Sequence, residues 1–392
     1  MPFSRLSIQW KITLLAGLCL LVIVTLLVAT SLYQARNSAV MVKQSSSQML
    51  EQAAQLRMQA RAEAQALEIQ RYFMDAYQYG KGFSRQVLFL RAQAEKRFLD
   101  AFDLREDMTR QVRTALEGNP DLLGLYVVFE ANALDGKDEL FTGQEALGSN
   151  EQGRFSLYWS QAKVGELEAA TLKEEELADT SAGASGTPYN AWYTCPRDSK
   201  AACVLDPYFD DVGGEQVLMT SIAFPLLLDG KVIGVMGVDI SLDSLQQLSL
   251  QAHKTLYDGA GHVSIISPAG LLAGHSNDSK LLGEPLHKAF VEQGRELLER
   301  VSGGQPAMLK HAQMQCLLSP WQPIPGAKPW SVLLEVPNAV LLKPALQLEQ
   351  QLDQQSTADS AKALGLGLLA VLLGLLLMWL TARGVTRPIL GV

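Results

Sequence analysis

Charge is scarce in this sequence: Asp, Glu, Lys and Arg make up 19% of it, against about 25% in ordinary soluble domains. The deficit is concentrated in two places. Residues 12–32 and 363–382 contain no charged residue, runs of 21 and 20, each long enough to cross a hydrocarbon layer about 30 Å thick as a helix. A purely soluble protein is excluded on this reading. Cysteine is also sparse, at four in 392 residues, and the five histidines form no pair four apart and no Cys/His cluster with metal-ligand spacing. No metal and no cofactor is expected. Also missing are a Gly-x-Ser-x-Gly elbow, a phosphate-cradling Gly-rich loop and a His-Glu-x-x-His pair, so the sequence does not read as an enzyme.

What is present sets a topology. Arg5 and Lys11 precede the first run, Arg383 and Arg387 follow the second, and Trp10, Tyr33 and Trp379 stand near the expected interfaces. The positive-inside rule then places both ends in the cytoplasm, with Arg36 and Lys43 balancing the amino-terminal pair locally. The competing reading of the first run is a cleaved signal peptide, whose apolar region usually runs only ~7–15 residues. On the two-span reading, 1–11 is cytoplasmic, 12–33 and 363–382 are transmembrane helices, and 34–362 lies on the far side of the membrane. The formal charge of −8 includes five positive charges at the two ends, so 34–361 carries −13. An acidic exterior disfavours nucleic acid and favours cationic ligands. Cys195 and Cys203 lie in this segment, where a disulfide closing a short loop is the first reading and two buried free thiols the second. Cys316 is left unpaired.

After the first span, Val42, Met49, Ala53, Leu56, Ala60 and Leu67 recur at spacings of three, four or seven. This predicts a long stalk helix over 34–118 with a packing seam, interrupted at Gly80 and Gly82 and stopped at Gly118-Asn119-Pro120. From 122 onward short apolar or alternating runs replace it: 122–130, 155–159, 216–228 and 231–241, with Asp229-Gly230 a hairpin signal between the last two. The 164–187 stretch reads as a loop or short helix. A helical linker at 242–257 leads to a second set of strands at 262–267, 270–276, 305–314 and 330–337, then a return helix at 338–362. The fold class is therefore α+β, with two tandem antiparallel-sheet modules, 119–257 and 258–337, on a long helix and flanked by two transmembrane helices.

This order resembles the sensory half of bacterial methyl-accepting chemotaxis receptors with a double Cache periplasmic domain, whose two modules are PAS-like. Its most specific part is the run from Tyr189 to Leu245: Trp192-Tyr193, DPYFDD at 206–211 and GVMGVDISLDSL at 234–245. Thr386-Arg387-Pro388-Ile389 looks like the start of a HAMP linker over 383–392. The resemblance implies that a whole receptor continues into a HAMP module and a coiled-coil hairpin that docks a cytoplasmic histidine kinase and its adaptor. The seam of the long helix suits pairing with its counterpart, so a homodimer is expected, and the resemblance implies larger arrays in the whole receptor.

In amino-acid-binding members of that family an Arg two residues before the Trp-Tyr pair clamps the ligand carboxylate. Here that position is Asn190, which cannot supply a bidentate cationic fork. The amine half of the site matches: Trp192 and Tyr193 fit the aromatic pair, Tyr208 and Asp210 the Tyr-x-Asp, and Asp239 the final aspartate. With Tyr158, Trp159, Asp206 and Asp211 these form an expected box of carboxylates and aromatic faces suited to an ammonium group. The expected ligand is a polyamine such as putrescine or spermidine, or histamine, as in the polyamine- and histamine-sensing subset. Against this stand core roles for Trp192 and Tyr193, a turn-capping role for Asp210 or Asp211, and a core position for Tyr126. The alternatives are a double Cache sensor of amino acids, a sensor feeding a histidine kinase or diguanylate cyclase, and a structural membrane protein.

Overall fold

The structure, a computed structural model, describes residues 8–310 and 313–386; the Arg387-Pro388-Ile389 run lies outside the described residues. The chain divides into two compact units, Met1–Leu56 with Leu341–Val392, and Arg57–Val340. The first unit contains the start of helix α1 (Ile8–Arg97) and the last helix of the chain (Lys343–Thr386). Both helices are long and apolar enough to cross a membrane. They approach closely at glycines, Gly17 against Leu375, Gly374 against Leu20 and Gly367 against Val28, and Lys43 pairs with Asp353 at 3.2 Å.

In the second unit α1 buries Met58, Ala62, Ile69, Phe73 and Ala76, the three-and-four spacing of one helix face. The expected seam is on another face: Val42, Met49, Leu56 and Leu67 are all exposed. The helix runs through Gly80 and Gly82 without a break. A Cβ at Gly80 would overlap the Phe224 ring, so this glycine marks close packing of helix on sheet, at about 1 kcal/mol in helix propensity. α1 stops where Phe98 takes a φ of 54°, and Asp100 accepts from the Phe102 amide at 2.8 Å to cap α2 (Ala101–Glu117).

The first sheet contains β1 (Gly124–Phe129), β2 (Ser156–Lys163) and β3 (Glu166–Thr171). After α3 (Glu174–Ala178) and α4 (Ala191–Ser199) come β4 (Cys203–Val204), β5 (Tyr208–Val212), β6 (Glu215–Leu228) and β7 (Lys231–Ser241). Its order is β3-β2-β1-β7-β6-β4, with β5 also paired to β6. Leu228 pairs with Lys231, so Asp229 and Gly230, with φ of 49° and 77°, form a two-residue hairpin turn. The 164–187 stretch supplies β3 and α3, and DPYFDD supplies β5. One sheet face, with Leu125, Val127, Leu157, Ile222, Phe224, Met236 and Val238, is buried, and its Phe224 stacks on Tyr77 of α1 at 5.5 Å.

Helix α5 (Leu242–Thr255) leads into the second sheet. There β8 (His262–Ile266), β9 (Leu272–His275), α6 (Leu286–Ala289), α7 (Gly294–Gly303), β10 (Ala307–Lys310), β11 (Met314–Trp321) and β12 (Trp330–Pro337) precede α8 (Asn338–Leu341) and α9 (Lys343–Thr386). The strand order is β10-β11-β12-β8-β9. The expected single strand over 305–314 is two strands, β10 and the start of β11. The Gln246 amide of α5 donates to the His275 carbonyl at 2.9 Å and its oxygen accepts the His275 amide at 2.7 Å, tying α5 to β9.

Among the described residues, a charged cluster around Arg105 is largely buried. Arg105 of α2 is 0% exposed and donates to Asp135 at 2.8 Å, Asp138 at 2.8 Å, Ser149 Oγ at 2.7 Å and the Gly153 carbonyl at 2.7 Å. It fixes the irregular 130–153 segment to α2. Replacing Arg105 with Met strands two buried carboxylates, a loss of about 3–5 kcal/mol. The expected outcome is a marked drop in the thermal unfolding midpoint; an unchanged midpoint would show that the cluster is dispensable.

Candidate ligand-binding site

The site lies on the face of the first sheet opposite α1. Period-two alternation puts Tyr126 and Val128 of β1, Tyr158 of β2, Ala223 of β6 and Val235 of β7 into one buried cluster with Trp192 and Tyr193 of α4 and Leu205. Two glycines make room for large rings. Cβ atoms at Gly237 and Gly124 would overlap the rings of Tyr126 and Tyr158, respectively. The cystine Cys195–Cys203, with Cα atoms 6.2 Å apart, joins α4 to β4.

At the centre is Asp239, 2% exposed. It lies cross-strand from Ser221 and from Gly124. Ser221 Oγ donates to Asp239 Oδ1 at 2.6 Å, and Tyr208 Oη lies 2.6 Å from Ser221 Oγ, so the proton order runs Tyr208 to Ser221 to Asp239. Burial, reinforced by the charge of Asp210, pushes the Asp239 carboxyl up to about 7. Asp210 on β5 accepts from Tyr189 Oη at 2.6 Å and from the Asp211 amide at 2.9 Å, and its carboxyl is also raised by burial. Among the described residues neither carboxylate has a cationic partner.

Aromatic rings close the box. Tyr126 donates its hydroxyl to the Trp192 carbonyl at 3.0 Å and meets the Trp192 ring edge-on at 5.0 Å. The Trp192 Nε1 and Tyr158 Oη atoms are buried without a hydrogen-bond partner, although Tyr158 Oη is close enough to Asp239 for the two to influence each other's ionisation. Among the described residues no group of three or more His, Cys, Asp or Glu could hold a metal ion.

Trp192, Tyr158, Tyr208, Asp210 and Asp239 are brought together; four other expected members are not. Trp159 follows Tyr158 in the strand and so points to the opposite sheet face, where the Arg113 guanidinium of α2 lies 5.5 Å over its ring. Asp211 is exposed and accepts the Gly214 amide at 2.8 Å, closing the β5–β6 turn. Asp206 accepts the Ala269 amide of the second sheet module at 3.0 Å. Tyr193 packs in the cluster, but its hydroxyl donates to Glu130 at 2.5 Å, away from Asp239. Asn190 is buried and donates to the Leu177 carbonyl at 2.9 Å, so it is spent on backbone. Sequence reasoning missed Tyr189 and Ser221 and assigned Tyr126 to core. Only the cross-strand register, Ser221 opposite Asp239, would have identified Ser221.

Asp239 carries a sign for pH. Between its ordinary value of 3.8 and about 7 the folded state holds a proton that the unfolded state has lost, so stability falls as pH rises through that window. Asp239→Asn abolishes this slope and stabilises the ligand-free protein near pH 7 by on the order of 4 kcal/mol at most. Melting midpoints of both proteins across that window test it; parallel curves would place the titration elsewhere.

Comparison with known proteins agrees with this architecture. Residues 108–247 match the family described as methyl-accepting chemotaxis protein-like, first PDC sensor domain. The chain is 65% identical over all 392 residues to the methyl-accepting chemotaxis protein TlpQ of Pseudomonas aeruginosa, and spans 55% of that relative's length. Among solved structures, the extracellular domain of the putative histidine kinase mmHK1S-Z3 superposes with a TM-score of 0.56 at 21% identity, covering 79% of this chain and 98% of that one. Methyl-accepting chemotaxis protein X gives 0.54 at 24% identity, covering 74% and 98%. These two likenesses are of fold. The chain is a homologue of a methyl-accepting chemotaxis protein, and its residues 108–247 match the model of a first PDC sensor domain.

Proposed function

We propose that this chain is the sensing part of an inner-membrane chemoreceptor whose periplasmic domain binds a small cationic amine, a di- or polyamine or histamine, and signals to a cytoplasmic histidine kinase and its adaptor. The observation that supports the ligand class is Asp239, a buried carboxylate held by hydroxyls and walled by aromatic rings, with no cation beside it among the described residues. Burying a charge unpaired is costly, and an arriving ammonium group supplies the missing partner. It would gain charge-assisted hydrogen bonds from Asp239 and Asp210 and contact with the ring faces. A free amino acid brings a carboxylate as well. The position that family members fill with Arg is Asn190, whose amide is already committed to Leu177.

Signalling then requires that the amine bind two packings of the domain unequally. Two spans, a homodimer and a kinase output complete the reading. The exposed residues Leu56 and Leu67 of α1 are the proposed dimer seam.

Calorimetric titration of the detergent-solubilised chain with putrescine, histamine and neutral amino acids tests the ligand. Amines are expected to bind and amino acids are not, and Asp239→Asn should lose about 2–5 kcal/mol of amine affinity. Affinity should also fall as pH drops below about 7, because binding must expel the carboxyl proton. Amine affinity indifferent to Asp239 would refute the assignment. Separately, Leu56→Glu with Leu67→Glu should shift the sedimenting species from dimer to monomer; an unaltered sedimentation profile would remove that seam from the dimer.

A further inference from the structure

Beside the acidic box lies a cavity of about 180 Å³ lined by the 181–189 loop, Asp206, Tyr208, Leu218 and Gly283. That is several times the ~30 Å³ share of one water. Two tyrosines belong to both spaces. Tyr189 and Tyr208 line the cavity and meet edge to face at 6.4 Å, while their hydroxyls reach Asp210 and Ser221 in the box. The cavity is also where the two sheet modules meet, because Gly283 lies against Leu218.

Asp206 is the one carboxylate lining this cavity. The amide of Ala269 occupies its Oδ1 at 3.0 Å, which fixes the side chain, and among the described residues no partner is found for Oδ2. Asp206, Tyr208 and Asp210 recur at period two along the β5 segment, the last two half-buried and the intervening Phe209 exposed. Four residues of extended chain set Asp206 and Asp210 roughly 13 Å apart along the strand. A four-carbon diamine, five bonds of about 1.5 Å in a staggered chain, spans roughly 6 Å. A diamine whose two ammonium groups both engage the box has none left for Asp206, whereas a triamine with a further aminopropyl arm supplies one.

We propose that this cavity receives the far ammonium group of a long polyamine, with Asp206 Oδ2 as its partner, so that the domain reads ligand length as well as charge. The inference rests on the amine reading of the box. It makes Tyr189 and Tyr208 the partition that a long ligand must part, and it brings that ligand onto the residue that links the two modules.

The test is calorimetry on the detergent-solubilised 392-residue chain with putrescine and spermidine, for wild type and Asp206→Asn. The variant keeps an oxygen for the Ala269 amide and loses the charge. The expected result is an unchanged dissociation constant for putrescine and one weakened roughly 10-fold or more for spermidine. Retained putrescine binding certifies the fold of the variant. An equal change for both amines, or none for spermidine, overturns this inference alone. If neither amine binds the wild-type chain, the amine reading falls and this inference with it. As a second probe, Ser185→Trp should fill the cavity and exclude spermidine while sparing putrescine; equal binding of both by that variant would also overturn it.

Discussion

A carboxylate enclosed without a counter-charge is the constraint around which the sensor module is arranged. Asp239 sits in a largely apolar strand, with hydroxyls reaching it through Ser221 and then Tyr208 and the charge of Asp210 near it. Glycine at 124 and 237 gives Tyr158 and Tyr126 the space to lie across neighbouring strands, and the tyrosine rings keep water from solvating the acid. The result is a site whose electrostatics are strong because its surroundings are weakly polarisable. An uncompensated acid in such surroundings carries a standing electrostatic cost, and on the proposed reading an arriving cation would relieve it. Affinity then comes from removing a standing cost, not from adding contact area.

The sheet frame was legible because alternation and turn chemistry are local. The Asp229-Gly230 turn, the apolar strands around it and the return to helix at 242 all follow from neighbours in sequence. Gly80 and Gly82 misled because the sequence does not reveal that Phe224, more than 140 residues on, will pack against the first of them. The same limit governed the site. Tyr158 and Trp159 are equally aromatic, and Asp210 and Asp211 equally acidic; only the phase of the strand decides which of each pair faces inward, and one residue of register inverts the answer. Asp206 was read with its neighbours, but its tertiary partner, the Ala269 amide, is 63 residues away. Ser221 carries no signal of its own until it is seen opposite Asp239.

The fold leaves the output open. Related architectures occur in the extracellular domain of a putative histidine kinase and in a chemotaxis protein, so the fold alone does not specify the chemistry, which lies in a few side chains. Asn190 shows how small the change can be. Where the resemblance leads one to expect a cationic fork, an amide bonds instead to the backbone of the preceding segment.

Covalent continuity gives Asp239 a mechanical role as well. Two residues beyond it, Ser241 caps α5, and one and a half turns later Gln246 grips both backbone groups of His275 in the second module. No flexible linker intervenes between the acid and that grip. A displacement of the strand end would therefore reach the helix at its cap, and the second sheet through the two hydrogen bonds between Gln246 and the His275 backbone.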